Sequence, residues 1–145
     1  MNNNFHKFAA IHEAGHAVVA KYTGIGVDVV WARSNGSGAC LPCKPIKEDL
    51  KAHSLTALAG VLACSLYARD LDVDLSMWNT FEDCSADWAV FQCCGGVYSF
   101  RVARRLALNI LKNRKEELYF IADLLQSHKA ISLTDAGYHE VHLYE

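Results

Sequence analysis

The 145-residue sequence lacks an excess of either charge, a repeat and a long uninterrupted apolar run. Its 14 basic and 16 acidic side chains give a formal net charge of −2 and are interspersed, which argues against a nucleic-acid or membrane-surface partner. The longest apolar stretch, 55–68, is interrupted by Thr56 and Ser65 and is too short to cross a bilayer. We therefore expect no membrane span.

The start of the chain has no basic segment followed by an apolar one, so no signal peptide is predicted. The six cysteines are even in number and could pair. Without an export signal, however, we expect reduced thiols and a cytoplasmic protein. The length is that of a single domain, residues 1–145, which is large enough to bury a core.

One short segment indicates chemistry: His12, Glu13 and His16 form the pattern His-Glu-x-x-His. Residues four apart share a helix face, so both imidazoles can bind one metal ion. Zinc lowers the pKa of a bound water to about 7, and Glu13 is placed to accept a proton from that water. The motif therefore predicts zinc-dependent hydrolysis of peptide bonds.

The residues around this motif are mostly apolar and predict a largely buried helix over 4–22. Two histidines and a glutamate are costly in such a helix unless a metal satisfies them. An ordinary pair of core histidines is the alternative interpretation. Gly15, between the two histidines, leaves room for another element to approach closely.

Catalytic zinc takes three protein ligands and leaves one position for water, so a third ligand is needed. In one common pattern a histidine stands six residues after the second, but this chain has Tyr22 there. The candidates elsewhere are His53, Glu48, Asp49, Asp70, Asp72, Asp74, Glu82, Asp83 and Asp87. Asp87 is favoured because the first turn of a capped helix holds its side chain rigidly. Asp at such a position also commonly just complements the helix dipole. The residues alone support the ligand and the dipole interpretations equally.

Hydrophobic periodicity predicts a mainly α-helical fold with a small β-hairpin or sheet, of the α+β class. Beyond the first helix, we predict helices from Glu48 or Asp49 to about residue 69, from an N-cap at Ser85 to the glycines 95–96, and over 98–127. The stretch 70–83 is predicted to be an acidic loop.

The alternating, β-branched segment 27–33 predicts a strand, and 39–42 its partner after a glycine-rich turn. We consider 27–33 a candidate edge for pairing an extended substrate, with an ordinary core strand as the alternative. Ser132-Leu133-Thr134-Asp135 has the form of a capping box and predicts a short terminal helix.

The segment 11–19, Ile-His-Glu-Ala-Gly-His-Ala-Val-Val, is similar to the zinc-binding segment of the FtsH-type peptidase domain. That family takes its third ligand from the Asp of a Gly-Ala-x-x-Asp-Leu segment. Residues 83–88, Asp-Cys-Ser-Ala-Asp-Trp, resemble it in the Asp and in its place at a helix start. The resemblance implies a zincin-like metallopeptidase fold, with zinc bound by His12, His16 and Asp87 and with Glu13 as the catalytic base.

Other parts of the chain resemble that family more loosely. Leu58-Ala59-Gly60 stands where the family has a Gly-Gly-Arg-x-Ala-Glu helix, without its Arg and Glu. The segments 107–125 and 131–133 resemble the family's closing helix and the turn after it. The family joins its peptidase to an ATP-driven unfoldase and a membrane anchor, but this sequence has no Gly-x-x-x-x-Gly-Lys phosphate loop.

We therefore expect a peptidase that acts on peptides or unfolded proteins, or one that depends on a separate partner protein. The formation of a homo-oligomer is left open by the sequence. The alternative is a non-catalytic zinc-binding adaptor or regulatory module that keeps the peptidase fold. Glu13 favours the enzyme, because a purely structural site has no need of it.

The cysteines supply a third, weaker hypothesis. Cys40-Leu-Pro-Cys43 has the spacing of half a structural zinc site, and Cys93-Cys94 could complete it or oxidise as a redox-sensitive pair. A second pair at the same spacing is missing from the sequence. Such residues are most often small core hydrophobes.

Overall fold

The computed structural model describes residues 4–72, 85–127, 129–134 and 137–142. In these ranges the chain is mainly helical with a small antiparallel sheet, which confirms the predicted α+β class. The helices are α1 (Asn4–Tyr22), α2 (Leu50–Leu71), α3 (Ser85–Cys93), α4 (Phe100–Asn113) and α5 (Lys115–Gln126). The strands are β1 (Val27–Ala32), β2 (Gly38–Pro42), β3 (Ala130–Thr134) and β4 (Gly137–Val141), and a 3₁₀ turn at Ile46–Glu48 precedes α2.

Helices α1 and α2 form the centre of the fold. Every residue of α1 from 8 to 20 and of α2 from 52 to 64 is buried. A helix that is buried all round must be covered on every side. Accordingly α1 packs against α2, α5, β1 and β2, while α2 also contacts α3 and α4.

The two central helices approach each other closely at Gly15. A Cβ atom at this position would lie 2.6 Å from the Ala59 carbonyl oxygen and 2.6 Å from the Ala63 Cβ. The small side chains of α2 therefore meet a residue of α1 that has none. The close approach predicted from Gly15 is confirmed.

The sheet has the strand order β2-β1-β3-β4, with every pair antiparallel. The predicted hairpin of β1 and β2 is present, with Val30 opposite Cys40. However, β1 is paired on both sides, so the prediction that 27–33 offers an edge is wrong. In the described part of the chain the edge next to β1 is β2.

The prediction of a terminal helix at Ser132 is also wrong, because the segment is strand β3. Ile131 and Leu133 are buried toward the core, and alternate burial is the strand period. The Ser132 hydroxyl donates to the Val27 carbonyl at 3.1 Å instead of capping a helix. Asp135, the last member of the predicted capping box, lies outside the described residues.

The helix predicted over 98–127 is two helices that part at Arg114. Arg114 has φ −130° and ψ 34°, outside the helical region, and its N–H bonds to the Leu111 carbonyl at 3.1 Å. The break lets α4 pack on α2 while α5 packs on α1. The helix predicted to start at Glu48 or Asp49 is confirmed, since Asp49 accepts a hydrogen bond from the Ala52 N–H.

By length and hydropathy, α2 is the one helix in the described ranges that could cross a membrane, but 83% of its most apolar window is buried inside the fold. Core helices meet the same criterion. Most of the stretch predicted as an acidic loop, 73–83, lies outside the described residues.

Replacing Gly15 by Ala should destabilise the protein by about 1–3 kcal/mol, because the new methyl group must force the two central helices apart. Thermal and urea unfolding measure this loss. The double variant Gly15→Ala/Ala63→Gly removes one of the two clashes. Its loss should therefore be smaller than the sum of the two single losses, and strict additivity would contradict the close contact.

Candidate metal centre

Helix α1 places His12, Glu13 and His16 at the buried centre of the fold. The two imidazole rings lie edge to face, with centroids 4.8 Å apart, as expected for neighbours one turn apart. One ligand atom from each of the three residues lies within 4.8 Å of the others. This buried group could bind a metal ion.

Asp87, in the first turn of α3, reaches the same point from the other side. Its Oδ2 lies 3.0 Å from the His12 Nε2 and 3.2 Å from the His16 Nε2. The two Nε2 atoms are themselves 3.1 Å apart. One carboxylate oxygen and two imidazole nitrogens therefore form a nearly equilateral triangle.

Two of the other acidic candidates have ordinary structural roles. Asp49 caps α2, and Asp70 pairs with Lys115 at 2.7 Å. Three more, Asp74, Glu82 and Asp83, lie outside the described residues. Asp87 is the candidate that the structure places in contact with both histidines.

The second nitrogen of His16 fixes the orientation of its ring. His16 Nδ1 lies 2.6 Å from the Thr56 carbonyl and donates to it. In a neutral imidazole this leaves the Nε2 lone pair free to point into the triangle. Metal-binding histidines commonly have such an outer partner, which sets the tautomer.

Helix α2 comes into contact with the histidines at Gly60. A Cβ at this position would lie 2.6 Å from the Nε2 atoms of both His12 and His16. Only a glycine therefore lets the two ring nitrogens meet beside the α2 backbone. In the sequence Gly60 stands out only in the segment 58–60 that loosely resembles a helix of the peptidase family, and nothing there predicts that it lies at the site.

The electrostatics of the triangle favour a cation. Burial alone would raise the pKa of Asp87, but its hydrogen bonds with His12 and His16 outweigh burial and hold the pKa well below its usual value. Burial alone would lower the pKa of His16, but hydrogen bonding and charge from Asp87 outweigh it and raise the pKa to about 9. The same field that holds a proton here attracts a metal cation.

Glu13 stands beside the triangle without belonging to it. Its Oε1 lies 3.9 Å from the His12 Nε2, and its buried Oε2 has no hydrogen-bond partner among the described residues. Burial raises the pKa of Glu13, against the opposing charges of His16 and His12. A buried carboxylate with raised basicity suits a proton acceptor.

Strand β2 covers Glu13 from the other side. A Cβ at Gly38 would lie 2.8 Å from the Glu13 Cγ. A cavity of about 250 Å³ opens between β2, α2 and α3, and Glu13, His16 and Asp87 lie on its wall. The place of β2 at the site could not be predicted from the sequence, since the position of a strand depends on tertiary packing.

His53 and Cys40 also line this cavity. His53 is buried, and its Nε2 lies 2.8 Å from the Lys44 carbonyl. It is a wall residue rather than a third ligand. Burial, with the charges of Glu13 and Asp87, raises the pKa of the Cys40 thiol well above its usual value.

Cys40, Cys43, Cys93 and Cys94 are not joined in disulfides. Cys43 and Cys93 are exposed, while the buried Cys94 thiol donates to the Val90 carbonyl at 3.3 Å. Within the described chain, the group that could hold a metal ion is the histidine and glutamate cluster, and it contains no cysteine. The zinc-thiolate hypothesis therefore gains no support from these residues.

No known family model matches this sequence, and a search of curated proteins returns no match. The likeness to the FtsH-type peptidase domain thus rests on the motifs quoted above.

Replacing Gly60 by Ala should weaken metal binding by at least about tenfold, because the methyl group occupies the space of the two Nε2 atoms. Titration with Co²⁺, followed by visible absorption, measures the affinity. Gly15→Ala is the control for displacement of the two helices, since it adds the same methyl group at the same interface away from the ring nitrogens, and it should weaken metal binding less than Gly60→Ala does. Equal affinities for wild type and Gly60→Ala would contradict the arrangement.

Proposed function

We propose that this protein is a zinc-dependent metallopeptidase in which His12, His16 and Asp87 hold the metal and Glu13 is the general base. The observation that carries the proposal is the triangle of donor atoms, with sides of 3.0, 3.1 and 3.2 Å. Zinc bonds of about 2.0–2.1 Å in a tetrahedron imply donors about 3.3 Å apart. The three side chains are thus close to the separations that one ion requires.

Hydrogen bonding alone explains the triangle poorly. At most two sides of the triangle can be hydrogen bonds. If both rings donate Nε2–H to Asp87, the two Nε2 donors face each other at 3.1 Å, and if His16 is neutral, its Nε2 faces the Asp87 oxygen as a second acceptor. A shared cation relieves this conflict on all three sides at once. Two nitrogens and one oxygen are a donor set that suits zinc.

Zinc bound here would polarise the carbonyl of a peptide bond and increase the acidity of the attacking water. Glu13 accepts the proton of that water, since its Oε2 is buried at the site and free of other partners among the described residues. The same carboxyl group then returns the proton to the leaving amine. His16 keeps its ring fixed throughout by donating to Thr56.

Within the described ranges no strand pairs with the outer edge of β2, and this edge supplies a place for an extended substrate. The Arg33 N–H donates to the Ser37 carbonyl at 2.8 Å, and hydrogen-bonded pairs recur at every second position of an antiparallel ladder. The backbone groups of Ala39 and Leu41 therefore face β1, while those of Gly38 and Cys40 point away from it. A substrate strand that pairs with this edge would lie along the cavity beside Glu13.

This arrangement favours flexible peptides or unfolded proteins as substrates, because only extended backbone can pair with a strand edge. It is compatible with the zincin-like, FtsH-type domain that the motif resembles. Unfolding of folded substrates would then fall to a separate partner protein.

Glu13→Gln and Asp87→Ala test the proposal in different ways. Glu13→Gln should keep one zinc per chain and lower cleavage of fluorescently labelled casein by roughly a hundredfold or more, because it removes the proton acceptor. Asp87→Ala should lose zinc affinity by more than about a hundredfold, because it removes a ligand. Elemental analysis and the casein assay measure the two effects.

Cys40→Ser is the control, and it should keep the zinc. Zinc that depends on Cys40 and ignores Asp87 would contradict the ligand assignment. Zinc binding that follows the assignment, but without cleavage by wild type, would favour the non-catalytic zinc-binding module instead.

Cys40→Pro tests the substrate edge. It removes one outward-facing N–H without disturbing the pairing of β2 with β1, so KM for the labelled casein should rise by roughly threefold to tenfold while zinc content stays the same. Cys40→Ser changes the same side chain but keeps the N–H, and its KM should stay near the wild-type value. A KM unchanged in Cys40→Pro would exclude pairing at this position.

A further inference from the structure

A second cavity lies between the end of α1, the start of α2 and the outer part of α4. Its volume is about 540 Å³, within the range of small-molecule sites. Leu55, Leu106 and Ile110 give it apolar walls. Neither the metal-binding triangle nor Glu13 contributes to it.

Three of the polar side chains that line this cavity come from the same end of α4. Asn109 and Asn113 lie in the last two turns of α4, and Arg114 is the break that follows it. The Arg114 guanidinium stacks 4.3 Å from the ring centroid of Tyr22, which also lines the cavity. This stacking holds the planar donor group at the rim.

The charge at the cavity is of one sign. None of the described residues that line it is acidic, and Arg114 forms no ion pair within the described part of the chain. Lys51 adds a second positive charge nearby, 5.8 Å from the ring centroid of Tyr98, another lining residue. A bound anion would thus meet a guanidinium and two amide groups without a competing carboxylate.

From this combination we propose that the cavity binds an amphipathic carboxylate, that is, an apolar chain or ring carrying one carboxylate group. The apolar part lies against Leu55, Leu106 and Ile110, and the carboxylate accepts hydrogen bonds from Arg114 and the neighbouring amides. One guanidinium in the lining matches one negative charge. Lys51 is not among the lining residues, so a phosphate group with two negative charges would be compensated less fully.

The site is independent of the proposed peptidase activity. It lies against a different face of α2, which contributes Leu55 to this cavity and Thr56 to the cavity of the metal centre. A carboxylate could also bind to a zinc ion, so the test must separate the two places.

Isothermal titration calorimetry with octanoate, and with 1-octanol as the uncharged ligand of equal chain length, tests the proposal. Octanoate should bind more tightly than 1-octanol to the wild-type protein. Arg114→Gln should weaken octanoate binding by roughly tenfold and leave 1-octanol binding nearly unchanged. Arg104→Gln is the matched control, since it removes an exposed charge of the same helix that does not line the cavity.

Two further variants locate the bound ligand. Asn109→Trp changes an exposed rim residue and should block the cavity without disturbing the core, so it should abolish binding of both ligands. Asp87→Ala should leave octanoate binding unchanged. The proposal fails if octanoate does not bind, if Arg114→Gln and Arg104→Gln behave alike, if 1-octanol binds as tightly, if Asn109→Trp still binds, or if binding is lost with Asp87.

Discussion

The close contact between α1 and α2 is the constraint on which the rest of the molecule depends. Gly15 lets the helices approach, and Gly60, one turn along the same face of α2 from Thr56, lets the ring nitrogens of both histidines lie against the α2 backbone. The same contact brings the Thr56 carbonyl within 2.6 Å of His16. Core packing and the geometry of the site are therefore set by one interface, and a side chain at either glycine alters both.

The contacts of the site also offset the unfavourable burial of polar side chains in α1. α1 is buried on all sides, yet it carries two imidazoles and a carboxylate into the core. Uncompensated polar groups in such a place are strongly unfavourable. Asp87 compensates the two imidazoles from α3, Thr56 compensates one ring nitrogen, and the carboxylate of Glu13 remains the least satisfied group among them. An unsatisfied, buried base next to a cluster that attracts cations is the arrangement that hydrolytic chemistry requires.

Much of the fold and of the candidate site could be predicted from the sequence, because these features depend on local spacing. The His-Glu-x-x-His pattern fixes which side chains share a helix face, and the apolar flanks of α1 and the Asp49 cap of α2 mark real helices. From the residues alone Asp87 is equally consistent with a helix-dipole role, because nothing local brings residue 87 to residue 12, and it is the family resemblance that favours it as the third ligand. Ser132 was misassigned because its neighbours satisfy a capping pattern, whereas pairing with β1 and burial of Ile131 and Leu133 override that local signal. The break at Arg114, the place of β2 and the role of Gly60 likewise depend on contacts between distant parts of the chain.

The position of Asp87 on α3 has a consequence for how the chain is held together. None of the nine residues of α3, all within the described ranges, is buried, and its main contacts are with α2. Asp87 and His16 are 71 residues apart in sequence. With the proposed zinc in place, the metal acts as a cross-link that closes this long loop, much as a disulfide would, and a closed loop of such length is worth about 4 kcal/mol in chain entropy. Asp87 would thereby tie a lightly packed peripheral helix to the buried central helix α1.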